Sequence, residues 1–424
     1  MRSYSRRLQW LVVALATAAL TTTSACTPSQ QQAAGQQPEP IVATTTTPPP
    51  VPLSLAIKPD AGAKNLPVSS EVGITLTGGT VTDVSVTKSG GGKINGAMRD
   101  DGTSWVPAAP LNPNTTYQVS VTAQGEGGQT DTKTTNFTTM GNPGRLTGTG
   151  LYLFNGQTVG VAMPVVVEFS PPVPESARAA VQQRLFVKSD PPQLGAWHWA
   201  SGSQVWFRPA KYWKSGTKLT VRAGLRGVPM GNGYYGDTDR SATATVGQKV
   251  VIEVSNATKQ MQVFVDDQLA KTYPVSLGKP STPSSSGRMV TMTHDYQTTF
   301  DTTDEGPGGY RVDVNYAMRL TWGGEFIHAA PWSEGDQGHR NVSHGCVNLG
   351  MANSSWLFNI THIGDPVTVT GTERKLVAGN GWTAWDQSWE EYIKGSAIPV
   401  SAEVAAAGGT GDPQLAGAAG TTGN

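Results

Sequence analysis

Cysteine is almost absent. The 424-residue chain has two, Cys26 and Cys346, in unrelated local contexts. A chain of this size without a disulfide framework must be held by ordinary burial. Charge is scarce as well, at 15 % of residues against a usual figure of about 25 %. The 31 basic and 31 acidic residues cancel, so there is no basic face with which to hold a nucleic acid by its phosphates. There is no long acidic block of the kind found in charged disordered scaffolds. No apolar run is long enough to span a bilayer: the longest, Leu8 to Leu20, has thirteen residues, where a spanning helix takes about 20.

That short run has a purpose of its own. Arg2, Arg6 and Arg7 precede it, and Thr23-Ser24-Ala25-Cys26 follows. A positive start, an apolar centre and small residues make a secretory signal, read here as residues 1–25. A small-small-Cys ending resembles a bacterial lipobox, with Thr23 in place of the usual aliphatic residue. Cys26 is then expected to be the lipidated first residue of a protein tied to the outer face of the cell membrane, in the periplasm or wall. Residues 26–51, beyond that cysteine, are Pro, Gln, Thr and Ala. They cannot bury enough surface to offset ordering entropy and read as a tether.

From residue 52 to 248 short alternating runs recur between Gly, Pro, Asn and Asp: Val72–Leu76, Thr82–Thr87, Tyr117–Thr122, Val165–Phe169 and Leu219–Arg222. No helix of ordinary length stands out. The spacing predicts antiparallel sandwiches. A repeat sharpens this: Trp105-Val106-Pro107 and then Tyr117-Gln118-Val119 match Trp206-Phe207-Arg208-Pro209 and then Leu219-Thr220-Val221 at a period near one immunoglobulin-sized module. Two modules are expected, 52–140 and 141–248. Leu111-x-Pro113-x-Thr115-x-Tyr117 resembles a tyrosine corner; the second copy has Leu219 where the tyrosine would be. Trp197, Trp199, Trp206 and Trp213 read as core residues of a pedestal, with a glycan-stacking surface as the other reading.

The chemistry lies further on. Residues 249–371 begin again as strands, Val250–Val254 and Gln260–Val265. The stretch Phe326-Ile327-His328 through Ser343-His344-Gly345-Cys346-Val347-Asn348 then gathers three histidines around the second cysteine. A thiol outside the cytoplasm with no disulfide partner suggests that the thiol itself is used. Free cysteine is a weak nucleophile until a neighbouring imidazole takes its proton, and His328, His339 and His344 are candidates. Gly345 permits a tight turn whose N–H groups could face an oxyanion. A zinc site built from His328, His339, His344 and Cys346 and an inert buried cysteine are the competing readings; His339, between Gly338 and Arg340, reads as a loop residue or substrate contact.

His328, fourteen intervening residues, and Ser343-His344-Gly345-Cys346-x-Asn348 resemble in full the signature of L,D-transpeptidases of the YkuD type. Thr282-Pro283 to Gly287 resembles the Pro/Gly turn of that domain. The resemblance covers about residues 249–371. With the two upstream modules, the lipobox and a C-terminal helix, the chain is similar to the mycobacterial-type lipoprotein members. The implied fold is mainly β: two tandem immunoglobulin-like sandwiches, a YkuD-type β-sandwich catalytic domain and a short C-terminal helix.

The resemblance implies a role for each matching position. Cys346 would be the nucleophile, His328 its base, and the Ala329 carbonyl would orient the imidazole. His344, Gly345 and Cys346 would frame the oxyanion hole. Tyr310 would reach in from a lid over residues 299–338, Ser343 and Asn348 would support the turn, and Trp332 would line the lid or its hinge. The implied reaction is a 3→3 cross-link: Cys346 takes up a peptidoglycan tetrapeptide stem, D-Ala leaves, and the side-chain amine of a second stem accepts. Water as acceptor would make a carboxypeptidase, and a decayed module would leave a wall-binding lipoprotein. Carbapenem β-lactams are the implied covalent inhibitors. No metal and no organic cofactor are implied. Beyond this domain, Trp382, Trp385, Trp389 and Tyr392 fall on one stripe of a helix expected within 372–395, docked on the second sandwich. Residues 396–424 read as a disordered tail.

Overall fold

The computed structural model describes residues 51–99, 101–303 and 309–409. The signal segment, Cys26 and all but the last residue of the tether lie outside them. Strands dominate, arranged as six sheets that pack in pairs.

In the first pair, Ser54–Lys58, Val72–Thr77, Ser104–Pro107 and Gly96–Met98 form one sheet. Ala63–Leu66, Thr130–Thr139, Thr116–Gly125 and Gly79–Lys88 form the other. Alternation does the work expected of it: Tyr117, Val119, Val121 and Ala123 are buried, while Gln118 and Gln124 face out. The tyrosine corner is present, for the Asn112 N–H donates to the Tyr117 hydroxyl at 2.7 Å. The second pair repeats the plan. Trp105 and Trp206 occupy equivalent strands, Ser104–Pro107 and Gln204–Pro209, each followed by a strand of the opposite sheet, Thr116–Gly125 and Lys218–Gly224. Trp197, Trp199, Trp206 and Trp213 are all buried, so the core reading holds and they offer no stacking surface. One element was not legible: the helix Glu175–Gln182, which buries Ala177 and Val181.

The two sandwiches meet at Glu71, which pairs with Arg99 (2.5 Å) and with the buried Arg184 (2.7 Å). Burial alone would push this carboxyl up; hydrogen bonds from Arg99, Ser104 and Arg184 outweigh it and hold it below its ordinary value. The second sandwich meets the third pair through backbone bonds, Gly160 N–H to the Ile363 carbonyl (2.8 Å) and Ala162 N–H to that of Gly364 (2.9 Å). Gly160 must be glycine, since a Cβ there would lie 2.2 Å from the Asp365 nitrogen. One apolar cluster runs from this sandwich through Val290 and Met292 to Trp382 and Trp385.

The aromatic stripe near the C-terminus is not a single helix. Only Trp389–Ile393 is helical, with Ser388 as its cap; Trp382 and Trp385 sit in turns. Arg208 of the second sandwich explains the difference. Its buried guanidinium donates to the carbonyls of Ala384 (2.9 Å) and Gln387 (3.1 Å), groups that a continuous helix would use internally. The rings of Trp385 and Tyr392 close over it at 4.3 and 4.2 Å. The docking itself is as expected, with the Tyr392 hydroxyl donating to the Trp206 carbonyl at 2.8 Å. The chain beyond 395 is also more ordered than its composition suggests. It adds a helix, Ala402–Ala406, whose Val404 carbonyl accepts from the Trp389 indole at 3.0 Å. Residues 410–424 of the expected tail lie outside the described ones.

In the third pair, Gln268–Pro274, Gln260–Val265, Val250–Ser255, Pro366–Thr370, Ser285–Val290 and Arg374–Lys375 make a six-stranded sheet. Thr293–Asp301, Arg311–Arg319, Phe326–Ala329 and Val347–Leu349 make a four-stranded one. The span 299–338, expected as one long loop, is largely a hairpin, because Thr293–Asp301 pairs in antiparallel register with Arg311–Arg319.

The corner makes a stability prediction. Tyr117→Phe leaves the Asn112 N–H without its acceptor and should lower the unfolding free energy of the first sandwich by about 1–3 kcal/mol. Urea denaturation followed by tryptophan fluorescence measures it; an unchanged midpoint would remove the corner from the account.

Candidate active site

The site is set by a parallel pairing. Phe326–Ala329 lies beside Val347–Leu349 with His328 opposite Asn348. In-register residues of parallel strands face the same side, and residues two apart do too. Cys346, two before Asn348, therefore shares a face with His328. Ile327, Val347 and Leu349 take the other face and enter the core. The shared face opens into a cleft of about 450 Å³, lined by His328, Cys346, Tyr310, Trp332, Ser343 and His344 among others. A larger recess of about 610 Å³ lies between the first two sandwiches beside Arg99, Phe186 and Arg222, and no nucleophile lines it.

His328 is buried, and its Nδ1 lies 2.9 Å from the Ala329 carbonyl. A carbonyl only accepts, so Nδ1 carries the proton and Nε2 is the bare nitrogen. Burial pushes the imidazole down to about 4. Phe300 stands edge-on to the ring at 5.1 Å and Trp332, more than half exposed, tilts over it at 6.1 Å. Cys346 is a buried free thiol whose Sγ reaches the Gly324 carbonyl at 3.7 Å. Burial pushes this thiol up to about 12, with a backbone hydrogen bond from Phe326 acting the other way. The resting pair is therefore neutral thiol beside neutral imidazole.

The turn that presents the cysteine is tied on three sides. Ser343 Oγ donates to the Cys346 carbonyl (2.6 Å) and accepts from the Gly345 N–H (3.1 Å). Ser284 Oγ donates to the Gly345 carbonyl (2.7 Å) and accepts from the Gly278 N–H (2.9 Å), so the Pro/Gly turn braces the motif. Gly345 has φ +126°, a backbone that a side chain would strain. The Gly345 N–H, expected to face an oxyanion, is thus occupied by Ser343, because the sharp turn folds that amide back onto the hydroxyl two residues earlier.

Asn348 Nδ2 donates to Ser333 Oγ at 3.1 Å, tying the cysteine strand to the short turn that carries Trp332. His344 is more exposed than His328. Partial desolvation and the neighbouring Lys279 hold it below its ordinary value; the Lys279 Nζ is 2.9 Å from its Nε2. The Tyr310 ring lies 4.9 Å from that imidazole. His339 is exposed and away from the cleft lining. No group of three His, Cys, Asp or Glu side chains fit to hold a metal occurs among the described residues.

Four residues of the site went unread in the sequence. Phe300 is one of many strand aromatics. Gly324 acts through a carbonyl, which any residue has. Lys279 is 65 positions from its partner His344. Glu325 is buried behind the turn, where it accepts from the Ser285 N–H at 2.9 Å and pairs with Arg374. Only an acid next to the histidine strand hinted at it.

Because both groups rest neutral, thiolate is scarce at pH 7 and grows tenfold per unit of pH towards 12. Alkylation of Cys346 by iodoacetamide should rise continuously from pH 6 to pH 10. A plateau reached below pH 7 would indicate a resting ion pair and contradict the neutral site.

Known proteins were compared with this chain. A family model described as the L,D-transpeptidase catalytic domain matches residues 249–369, and one described as a bacterial Ig domain matches residues 63–229. L,D-transpeptidase 2 of Mycobacterium tuberculosis (strain CDC 1551 / Oshkosh) is 32 % identical over 342 residues, which is 79 % of this chain and 83 % of that one. L,D-transpeptidase 5 of Mycobacterium tuberculosis (strain ATCC 25618 / H37Rv) is 35 % identical over 349 residues, 80 % of this chain and 75 % of that one. A solved L,D-transpeptidase in complex with imipenem shares 31 % identity, with 53 % of this chain and 100 % of that one covered at a TM-score of 0.45. Matched along most of its length by such relatives, and carrying the catalytic domain itself, the chain belongs to the L,D-transpeptidase family of enzymes.

Proposed function

We propose that the protein forms 3→3 cross-links in peptidoglycan through a thioester on Cys346. The observation that carries this is the shared face of Cys346 and His328, with the Ala329 carbonyl fixing the imidazole so that Nε2 can take a proton. The donor is a tetrapeptide stem. As Sγ bonds to the carbonyl carbon of the third residue, the thiol proton passes to His328 Nε2. The C–N bond to D-Ala then breaks, and His328 returns the proton to the leaving amine. The side-chain amine of a second stem attacks the thioester, gives its proton to His328, and releases the thiol with a new amide bond in place. No step needs a metal or an organic cofactor.

The developing oxyanion needs donors in a dry setting. With the Gly345 amide bound by Ser343, that role falls to the N–H groups of His344 and Cys346, aided by the Tyr310 hydroxyl. Ser343 and Asn348 hold the turn and its neighbouring strand still, and Trp332 guards the mouth. Lipidation at Cys26 would keep the enzyme on the outer face of the membrane, with the two sandwiches as a pedestal reaching the wall.

A carbapenem offers a strained carbonyl to the same thiol. The protein should gain one adduct per chain in intact-mass measurements, and Cys346→Ser none. With a tetrapeptide stem and an acceptor amine it should yield the cross-linked dimer. Trimmed stems alone would make it a carboxypeptidase, and no adduct on folded protein would overturn the nucleophile.

A further inference from the structure

The outer face of the six-stranded sheet carries a recess that the reaction does not use. Registers across four strands bring Thr272, Gln262, Glu253 and Thr368 into one row. Gln260 and Ser255 form part of the next. Their neighbours Ile252, Val254, Met261 and Val263 point into the core, so the polar set faces out by strand alternation. Together they line a hollow of about 470 Å³. At its centre, Glu253 Oε1 is enclosed without a hydrogen-bond partner. Such an oxygen is costly to leave unmatched, and a donor arriving from a ligand would satisfy it.

The lining selects a class of ligand. It has no lysine or arginine to hold an anion and no aromatic ring to stack on. It has amides, hydroxyls and one acceptor carboxyl, which suit an uncharged chain rich in hydroxyl and N–H groups. The recess also lies against the reaction cleft. At the Gln260 end it meets Gly338, where a Cβ would come 3.7 Å from Gln260 Nε2 and 3.1 Å from Pro274 Cβ. The loop carrying Gly338 lines the cleft on its other side with Asp336 and Val342.

We propose that this sheet face binds the sugar strand of the substrate, an uncharged polymer of N-acetylated amino sugars, and so delivers an attached stem to Cys346. The inference rests on peptidoglycan being the substrate. The occupant is the glycan rather than the peptide, because the peptide is needed in the cleft and the recess runs beside it.

The test uses glycan strands stripped of their stems by an amidase, and free tetrapeptide stems, each offered separately to the full protein. The stripped strand should bind, and should slow backbone hydrogen exchange in Val250–Ser255 and Gln260–Val265. Glu253→Ala combined with Gln262→Ala should weaken that binding about tenfold, with melting temperature as the check on folding. If the double variant melts abnormally, the exchange footprint on the unaltered protein decides. Failure of the stripped strand to bind, a footprint elsewhere, or equal affinity in a normally melting double variant would overturn the inference. Acylation of Cys346 by free stems alongside any of these would show that the glycan site alone is wrong. Absence of acylation would sink the transpeptidase reading with it.

Discussion

The site depends on one strand pairing. The histidine and the cysteine are eighteen residues apart, and neither strand is long: four residues on one side and three on the other. Their parallel register puts His328 opposite Asn348 and turns Cys346 to the same face. A slip of one residue would send either side chain into the core. The hydrogen bonds of Ser343, Ser284 and Asn348 hold that register at its open end, where the ladder has stopped. The intervening residues 330–342 close the loop and line the cleft on their return.

Burial then sets the chemistry. Moving the Cys346 thiol from its ordinary value of 9 to about 12 amounts to about 4 kcal/mol against the thiolate. The same dryness holds His328 neutral. An ion pair waiting in such a place would need more compensation than one Phe326 amide and the distant Arg319 supply. The proton therefore moves when the substrate carbonyl is at hand to receive the sulfur, and the charge is created on an oxyanion facing backbone N–H groups. A thiol kept protonated at rest is also shielded from adventitious oxidation, which matters for an enzyme working outside the cytoplasm.

Much of this was legible in the sequence, for reasons that can be named. Alternation and the Trp-to-strand repeat gave both sandwiches, since a half-buried strand writes its burial into every second residue. Ser343 to Asn348 with His328 gave the site, because a cysteine without a disulfide partner needs a base. The Ala329 carbonyl is where the resemblance put it. What was missed is tertiary. The stripe from Trp382 to Tyr392 has helical spacing, yet Arg208, 176 positions from Ala384, captures the carbonyls a helix would need. The Gly345 amide was assigned outward although Ser343, two residues away, had first claim on it. Glu325 and Lys279 belong to the site through partners far along the chain, a relation that spacing does not record.

The central claim is that Cys346 carries the donor stem as a thioester. Rapid quenching of the enzyme with a tetrapeptide stem in the absence of acceptor, followed by peptide mapping of the acid-stable adduct, tests it most directly. The account predicts a mass on the Cys346 peptide equal to the stem less D-Ala, absent in Cys346→Ser and discharged by an acceptor amine. Product formed without that adduct, or an adduct on another residue, would contradict it.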